Sequence, residues 1–218
     1  MHLEVLPPHQ QDALRQLGPA AKDQGFYLGG GTAVAVHLGH RQSIDLDWFT
    51  GDRLDQPLAL ARGLQSRGLD FRVRSVERGT LHGEVGRVRV SFLEFPLPLL
   101  KPPVAWPACD CLIASLDDLV AMKLLAVAQR GTKKDFLDIY ALGGQGFSLG
   151  GMLELYRRKF AIEDDARLLS ALCYFDDADP EPMPTMVTEI SWERVKKTIR
   201  NWVKVTVNSA GPSGSPTG

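Results

Sequence analysis

The chain has 218 residues, of which 44% are hydrophobic and 23% charged, and its formal net charge is −1. This composition is typical of a globular protein with a normal core, and it excludes a strong overall attraction to nucleic acid or membranes, so an RNA substrate would need a local basic patch. No stretch approaches the roughly 18 apolar residues of a membrane span, and the first eight residues lack a signal-peptide pattern. We therefore expect a cytoplasmic protein that does not engage a membrane.

The first half of the chain predicts alternating helices and strands. The predicted helices cover 9–24, 33–38 and 58–67, and the predicted strands cover 26–28, 44–49, 70–76, 80–84 and 87–95. Thr32 is a good N-cap for the second helix, and Gly39 is suited to end it. Five prolines between residues 96 and 108 predict a linker rather than a regular element.

The second half predicts helices, which cover 116–129, 132–143, 149–159, 163–172 and 191–204. The predicted division is therefore a mixed α+β core over 1–108, a helical half over 109–207 and a disordered Gly/Ser/Pro-rich tail over 208–218. The cysteines are three in number, and the Cys109-Asp110-Cys111 spacing does not match a zinc site, so we expect free thiols.

Two carboxylates, Asp45 and Asp47, are separated by one apolar residue on the strand predicted over 44–49. Residues i and i+2 of a strand point to the same face, so the two charges lie side by side and repel unless a cation sits between them. A hard divalent metal suits such oxygen ligands. The glycines of 29–31 precede a helix whose N-terminal amides favour an anion, so the pattern predicts metal-dependent phosphoryl or nucleotidyl transfer.

A lone lysine marks the second cluster. Lys123 is the only polar residue between Leu119 and Val127, in a helix that is otherwise apolar on every side. Such a lysine either reaches an edge, forms a structural ion pair, or faces an anion such as a substrate phosphate. Arg130 follows two turns later. Lys134 and Asp138 are four residues apart and could pair on the surface.

Together these blocks resemble the AbiEii/AbiGii-type nucleotidyltransferase toxin family, a branch of the polymerase-β-like nucleotidyltransferases. The first block runs from Gly30-Gly31-Thr32-Ala33 to His40-Arg41-Gln42-Ser43-Ile44-Asp45-Leu46-Asp47-Trp48-Phe49. The second holds Ser115-Leu116-Asp117-Asp118-Leu119, Lys123, Arg130 and Lys134-Asp135-Phe136-Leu137-Asp138. The resemblance implies a nucleotidyltransferase-like mixed β-sheet core with flanking helices, followed by a helical half that completes the site.

The resemblance also implies the chemistry. Mg²⁺ or Mn²⁺ would bind the paired aspartates, and a nucleoside triphosphate would be the donor. RNA would be the acceptor, as tRNA is for studied relatives, and the protein would be a toxin with an antitoxin encoded nearby. The implied catalytic residues are Asp45, Asp47, Lys123 and Asp135, with metal on Asp45 and Asp47. The implied nucleotide-binding residues are Gly30, Gly31, Thr32, Arg41, Ser43, Arg130 and Lys134, supported by Asp138 and Glu94.

One position of the implied site stays open. Many members of the superfamily carry a third metal carboxylate on a later strand, where this chain has Ser91, so Glu94 and Asp135 are rival candidates, and Asp135 is also a candidate base. Two alternative functions also stay open. The chain could be a non-catalytic binding module with this fold, or a nucleotidyltransferase acting on a small molecule.

Overall fold

Seven strands form one mixed sheet in the computed structural model, which describes residues 1–209. The strands are β1 Tyr27–Leu28, β2 Asp45–Thr50, β3 Phe71–Glu77, β4 Thr80–Val85, β5 Val88–Glu94, β6 Val104–Trp106 and β7 Cys111–Ile113. Their order across the sheet is β3-β4-β5-β2-β1-β7-β6, with β2 parallel to β5 and antiparallel to β1. The predicted α+β fold, a mixed sheet with flanking helices, is thereby confirmed.

Eight helices accompany the sheet within the described residues. They are α1 Pro8–Asp23, α2 Gly30–Leu38, α3 Pro57–Ser66, α4 Leu116–Gln129, α5 Lys133–Gly144, α6 Leu149–Phe160, α7 Ala166–Ala171 and α8 Trp192–Ser209. The chain divides into two compact units. The first comprises 1–119 and 184–188, and the second comprises 120–183 and the chain from 189 onward. None of these helices, as far as residue 209, is long and apolar enough to cross a membrane.

The sheet of the first unit has one buried face, set by the two-residue period of its central strands. On β2, Leu46 and Trp48 are fully buried, while Asp45 and Asp47 are half-buried. Strand β5 shares this buried face, where the Phe92 ring stacks on Trp48 with centroids 6.5 Å apart. The apolar face anchors both strands in the core, and the polar face of each strand is left open to solvent or ligand.

The structure corrects three sequence-based expectations. Helix α2 begins at Gly30, so Thr32 lies inside the helix and is not its N-cap. The proline-rich segment contains β6, which pairs antiparallel with β7 at the edge of the sheet, where prolines are tolerated. Helix α8 continues to Ser209, so the first two residues of the predicted disordered tail are helical, and the other nine lie outside the described residues.

Candidate active site

Strand β2 presents the paired carboxylates on the face of the sheet away from the core. Asp45 and Asp47 line a cavity of about 350 Å³, together with side chains from β3, β4 and β5. Both project to the same side because they lie two positions apart on the strand, with one residue between them. The predicted side-by-side arrangement of the two carboxylates is thus what the backbone of β2 produces.

The glycine turn packs directly on this pair. The Gly29 amide donates a hydrogen bond to the Asp47 carbonyl at 2.8 Å. Gly30 has φ +63°, and a Cβ at that position would lie 2.6 Å from Asp47 Oδ2. Only glycine fits there without strain, because an L side chain disfavours this φ and would collide with the carboxylate. The N-terminal amides of α2 therefore lie beside Asp47.

Two buried hydroxyls and an arginine brace the turn. Thr32 is fully buried, and its hydroxyl contacts both the Ser43 hydroxyl, at 2.7 Å, and the backbone carbonyl of Asp45. Arg41 is 2% exposed, and its guanidinium donates to the carbonyls of Gln42 at 2.9 Å and Gly31 at 3.4 Å. These three side chains, for which nucleotide binding is predicted, connect the turn to β2 through these hydrogen bonds.

Opposite charges alternate across the open face. Arg89 of β5 donates from Nε to Asp45 Oδ1 at 2.8 Å, and Arg74 of β3 pairs with Glu84 of β4. The Arg74 hydrogen bond is the main reason that the pKa of Glu84 lies below its usual value. The Asp45–Arg89 pair is solvent-accessible, with Arg89 67% exposed, so a stronger cation can compete for Asp45.

The position beside Asp47 on the neighbouring strand is occupied by Ser91. The parallel register pairs Asp47 with Ser91 and Thr50 with Glu94. Glu94 therefore points to the opposite face of the sheet from the aspartates, and its Oε2 accepts a hydrogen bond from the Leu54 amide at 3.0 Å. The alternation of β5 thus removes Glu94 as a candidate third metal carboxylate.

The donor set of this face fits a small hard cation. No group of three His, Cys, Asp or Glu side chains suited to a metal occurs within residues 1–209. Two carboxylates on one strand suffice for Mg²⁺, which characteristically completes its shell with water and substrate phosphates. Asp45 and Asp47 could therefore hold such an ion together with a triphosphate.

The second unit contains a different ionic cluster, built by α4 and α5. Lys123 Nζ lies 3.1 Å from Asp135 Oδ1 and 2.7 Å from Asp138 Oδ2, and all three side chains are at most 5% exposed. Arg130 adds two hydrogen bonds to Asp135, at 2.9 and 3.0 Å. Lys123 therefore forms a structural ion pair with the buried Asp138. Lys134, which the sequence offered as a surface partner for Asp138, is exposed.

Asp135 is held as an anion. Burial acts to raise its pKa, but the Arg130 hydrogen bond, the Lys123 charge and the Thr132 hydroxyl outweigh burial and keep the pKa well below 3.8. The Thr132 hydroxyl donates to Oδ2 at 2.6 Å, so each carboxylate oxygen has at least two donors. A carboxylate in this state is a poor proton acceptor, which is unfavourable for the predicted role as base.

Sequence reasoning missed two residues that the structure makes prominent. His82 of β4 lines the cavity with the aspartates, although no motif or spacing marks it. Lys133 is 5% exposed, and its ammonium donates to the backbone carbonyls of Asp179 and Glu181. The alternation of β4 could have placed His82 on the open face. Its position near the aspartates could not be predicted, because it depends on the order of the strands in the sheet.

A family model described as "Nucleotidyl transferase AbiEii toxin, Type IV TA system" matches residues 12–66 and 51–201. The chain belongs to the AbiEii nucleotidyl transferase toxin family. It is therefore a nucleotidyltransferase, and the family implies a nucleotide substrate and an antitoxin partner. An uncharacterised protein of Aquifex aeolicus (strain VF5) is 32% identical over 206 residues, which cover 93% of this chain and 98% of that protein.

Solved structures share the fold of this AbiEii family member. MenT4, a nucleotidyltransferase toxin of Mycobacterium tuberculosis H37Rv, has TM-score 0.63 and 16% identity over 90% of this chain and 82% of its own. JHP933 from Helicobacter pylori has TM-score 0.54 and 15% identity, and the match covers 93% of this chain and 95% of JHP933. The antibiotic-resistance factor ANT(2'')-Ia has TM-score 0.53 and 15% identity, and the match covers 70% of this chain and 92% of ANT(2'')-Ia. At these identities the likeness concerns the fold.

Proposed function

We propose that this AbiEii family member transfers a nucleoside monophosphate from a nucleoside triphosphate to a hydroxyl of RNA, as the toxin of a toxin–antitoxin pair. One observation carries the proposal. The backbone of Gly30 is so close to Asp47 that a Cβ would lie 2.6 Å from Oδ2, which puts the N-terminus of α2 beside a carboxylate pair. An anion-binding helix end next to two metal-binding oxygens suits a metal–triphosphate complex.

The residues of the first unit divide into two roles. Asp45 and Asp47 would hold Mg²⁺ or Mn²⁺, and the amides of Gly30 and Gly31 would bind triphosphate oxygens, because the first amides of a helix have no partner within it. When bound, the metal would neutralise charge on the triphosphate and on the leaving pyrophosphate. The buried side chains of Thr32, Ser43 and Arg41 would position β2 and the glycine turn.

In the second unit we propose a positioning role for the buried ions. Lys123 and Asp138 neutralise each other, and Asp135 fixes the guanidinium of Arg130. Arg130 is 63% exposed and Lys134 is also exposed, so these two cations are the members of the motif available to a phosphate. Asp135 would orient Arg130 rather than accept a proton.

RNA is the proposed acceptor because arginines border the carboxylate pair. Arg74 and Arg89 line the cavity, and Arg72 is exposed on β3 beside Glu84. Guanidinium groups next to the reacting face can bind the phosphates of a nucleic acid although the whole chain carries a charge of only −1. The antitoxin implied by the family would be encoded beside this gene.

The test is incubation of the purified protein with each α-³²P-labelled nucleoside triphosphate, MgCl₂ and total RNA. Label is expected on a discrete RNA species with at least one of the four nucleotides. Asp45→Asn and Asp47→Asn should each lower the rate by about 10³-fold, since metal stabilisation of the transition state is worth several kcal/mol. The matched control is Asp12→Asn, because Asp12 is 66% exposed on α1.

Each other outcome contradicts a defined part of the proposal. Label on a small molecule or a protein would overturn the RNA acceptor and keep nucleotidyl transfer. Nucleotide binding without transfer to any acceptor would overturn catalysis and favour a binding module. Transfer that is unchanged in both aspartate variants would overturn the assignment of the metal site.

A further inference from the structure

His82 stands in register with the carboxylate pair. The parallel pairing of β2 and β5 puts Ser91 beside Asp47, and the antiparallel pairing of β4 and β5 puts His82 beside Ser91. Residues paired directly across adjacent strands share a face of the sheet. The row Asp47–Ser91–His82 therefore runs across the open face, with neighbouring strands about 4.8 Å apart.

The imidazole has a hydroxyl of the neighbouring strand within hydrogen-bond distance. His82 Nδ1 lies 3.1 Å from Ser91 Oγ, both side chains are half-buried, and both line the cavity of about 350 Å³ that contains the aspartates. When Nδ1 carries the proton and donates it to the serine hydroxyl, Nε2 is left as the proton-accepting nitrogen. Hydrogen bonding at one ring nitrogen is the usual means of fixing the tautomer of a catalytic histidine.

The other polar side chains of the cavity are unsuited to accept a proton. Asp45 is paired with Arg89, and it shares with Asp47 the arrangement expected of metal ligands. Glu84 is paired with Arg74, whose hydrogen bond keeps the pKa of that carboxyl low. Arginine keeps its proton throughout the accessible pH range. His82 is the remaining cavity-lining side chain, within the part of the chain described, whose neutral form offers a nitrogen that can accept a proton.

We propose that His82 is the general base of nucleotidyl transfer and that Ser91 is the residue that positions it. The acceptor O–H bond breaks and its proton passes to His82 Nε2. The acceptor oxygen forms a bond to the α-phosphorus as the bond from that phosphorus to the bridging oxygen breaks, and pyrophosphate leaves with the electron pair. This inference rests on the proposed function, since it assumes a hydroxyl acceptor and a triphosphate donor.

The experiment compares His82→Ala with wild-type protein in single-turnover transfer of α-³²P-labelled nucleotide to total RNA. General-base catalysis typically contributes 10²–10⁴-fold, so we expect His82→Ala to be at least about 100-fold slower. Added imidazole should restore about tenfold or more of that loss, since it can occupy the vacated volume and accept the proton. Nucleotide affinity, measured calorimetrically with a non-hydrolysable triphosphate, should stay unchanged.

Three further variants separate catalysis from folding. His9→Ala is the matched control, because His9 is an exposed histidine on α1, and it should react at the wild-type rate. His82→Gln retains a side chain that can bond to Ser91, so it should fold like wild type and still be about 100-fold slow. Ser91→Ala should slow transfer by about tenfold, a smaller loss, since the imidazole itself remains.

The failures are distinguishable. A His82→Ala protein that reacts at the wild-type rate overturns the base, and so does a slow protein that imidazole does not rescue. Slow transfer with weakened nucleotide affinity in both His82→Ala and His82→Gln also overturns it, because a structural role then explains the loss. Wild-type protein that transfers label to no species overturns the proposed function itself.

Discussion

Two pairs of aspartates in this chain have the same formal charge and opposite surroundings. Asp45 and Asp47 are half-buried on an open sheet face, and Asp45 has one exposed arginine as its cation. Asp135 and Asp138 are at most 1% exposed and share Lys123, with Arg130 added on Asp135. The first pair is therefore accessible to an incoming cation, whereas the second is enclosed with Lys123 in the protein interior.

The comparison shows how burial assigns a carboxylate its role. A buried charge must be paired within the fold because desolvation is otherwise too costly, so the second pair serves stability and positioning. A half-exposed pair keeps part of its hydration, so an incoming cation can reach the oxygens of the first pair. The following substitutions test this division, and they are ordered from the largest expected effect to the smallest.

Lys123→Met should destabilise the protein by about 3–5 kcal/mol, because it leaves the buried carboxylate of Asp138 without its cation. Methionine keeps much of the chain length, so lost packing contributes little. The measurement is the free energy of unfolding from urea titration followed by circular dichroism. Lys134→Met is the matched control, since Lys134 is exposed one helix along, and it should change stability by less than about 0.5 kcal/mol.

The same measurement on Asp47→Asn sharpens the comparison. This variant should lose nucleotidyl transfer while its stability changes by less than about 1 kcal/mol, since a half-buried carboxylate keeps part of its hydration and the amide is nearly the same size. Destabilisation of several kcal/mol by Asp47→Asn, or stability of Lys123→Met equal to wild type, would contradict the division between an open and a buried pair.

The contribution of Asp135 to stability should depend on pH. The folded-state pKa of this carboxyl lies below 3.8, so its contribution to stability is complete well above that value and is lost as the pH falls through the unfolded pKa toward the folded one. Wild-type stability should therefore drop between about pH 5 and pH 3. Asp135→Asn should be less stable at about pH 6 and show a shallower drop. Parallel curves for the two proteins would contradict the ion pairing.

Gly30→Ala should cost about 1–2 kcal/mol of stability, because alanine resists φ +63°. It should also weaken metal and nucleotide binding, since the new Cβ displaces the Asp47 carboxylate. Binding is measured by calorimetry and stability by urea titration. Gly63→Ala is the matched control: no atom lies within 4 Å of its added Cβ, and alanine in exposed helix α3 should stabilise by about 0.5–1 kcal/mol. Equal behaviour of the two variants would contradict the close approach at Gly30.

Local sequence patterns identified the charged residues of both clusters, but they did not identify which side chains those residues pair with. The two-residue period of a strand was enough to place Asp45 and Asp47 on one face, and an isolated lysine in an apolar helix was enough to predict that Lys123 either reaches an edge or meets an anion. Pairing depends on tertiary structure instead. The helical spacing favoured Lys134 as the partner of Asp138, yet packing of α4 on α5 brings Lys123 to 2.7 Å. Desolvation then favours the buried lysine over the exposed one.

Dependence on tertiary structure also explains why the neighbours of Asp45 and Asp47 could not be predicted. Ser91 and His82 come beside Asp47 only because β5 and then β4 follow β2 across the sheet, an order that no local motif specifies. Glu94 and Ser91 were distinguishable only once the register was known, since a shift of one residue exchanges the faces of a strand. Strand β6 was missed because three residues are too short to show a period among prolines.

Arg89→Gln tests the open pair with the smallest expected effect on the fold. Arg89 and Asp45 are 67% and 34% exposed, so losing their contact should change stability by less than about 1 kcal/mol. Removing the positive charge should tighten Mn²⁺ binding in the absence of nucleotide by about fivefold, the equivalent of about 1 kcal/mol for a solvated charge pair at close range. Arg87→Gln, on the exposed turn before β5, supplies the matched control for the change in net charge. Unchanged or weaker Mn²⁺ binding in Arg89→Gln alone would mean that Arg89 does not compete for Asp45.

Tighter Mn²⁺ binding would show that removing a cation from the open pair makes its carboxylates more accessible to a ligand. Removing Lys123 from the buried pair, in contrast, destabilises the fold.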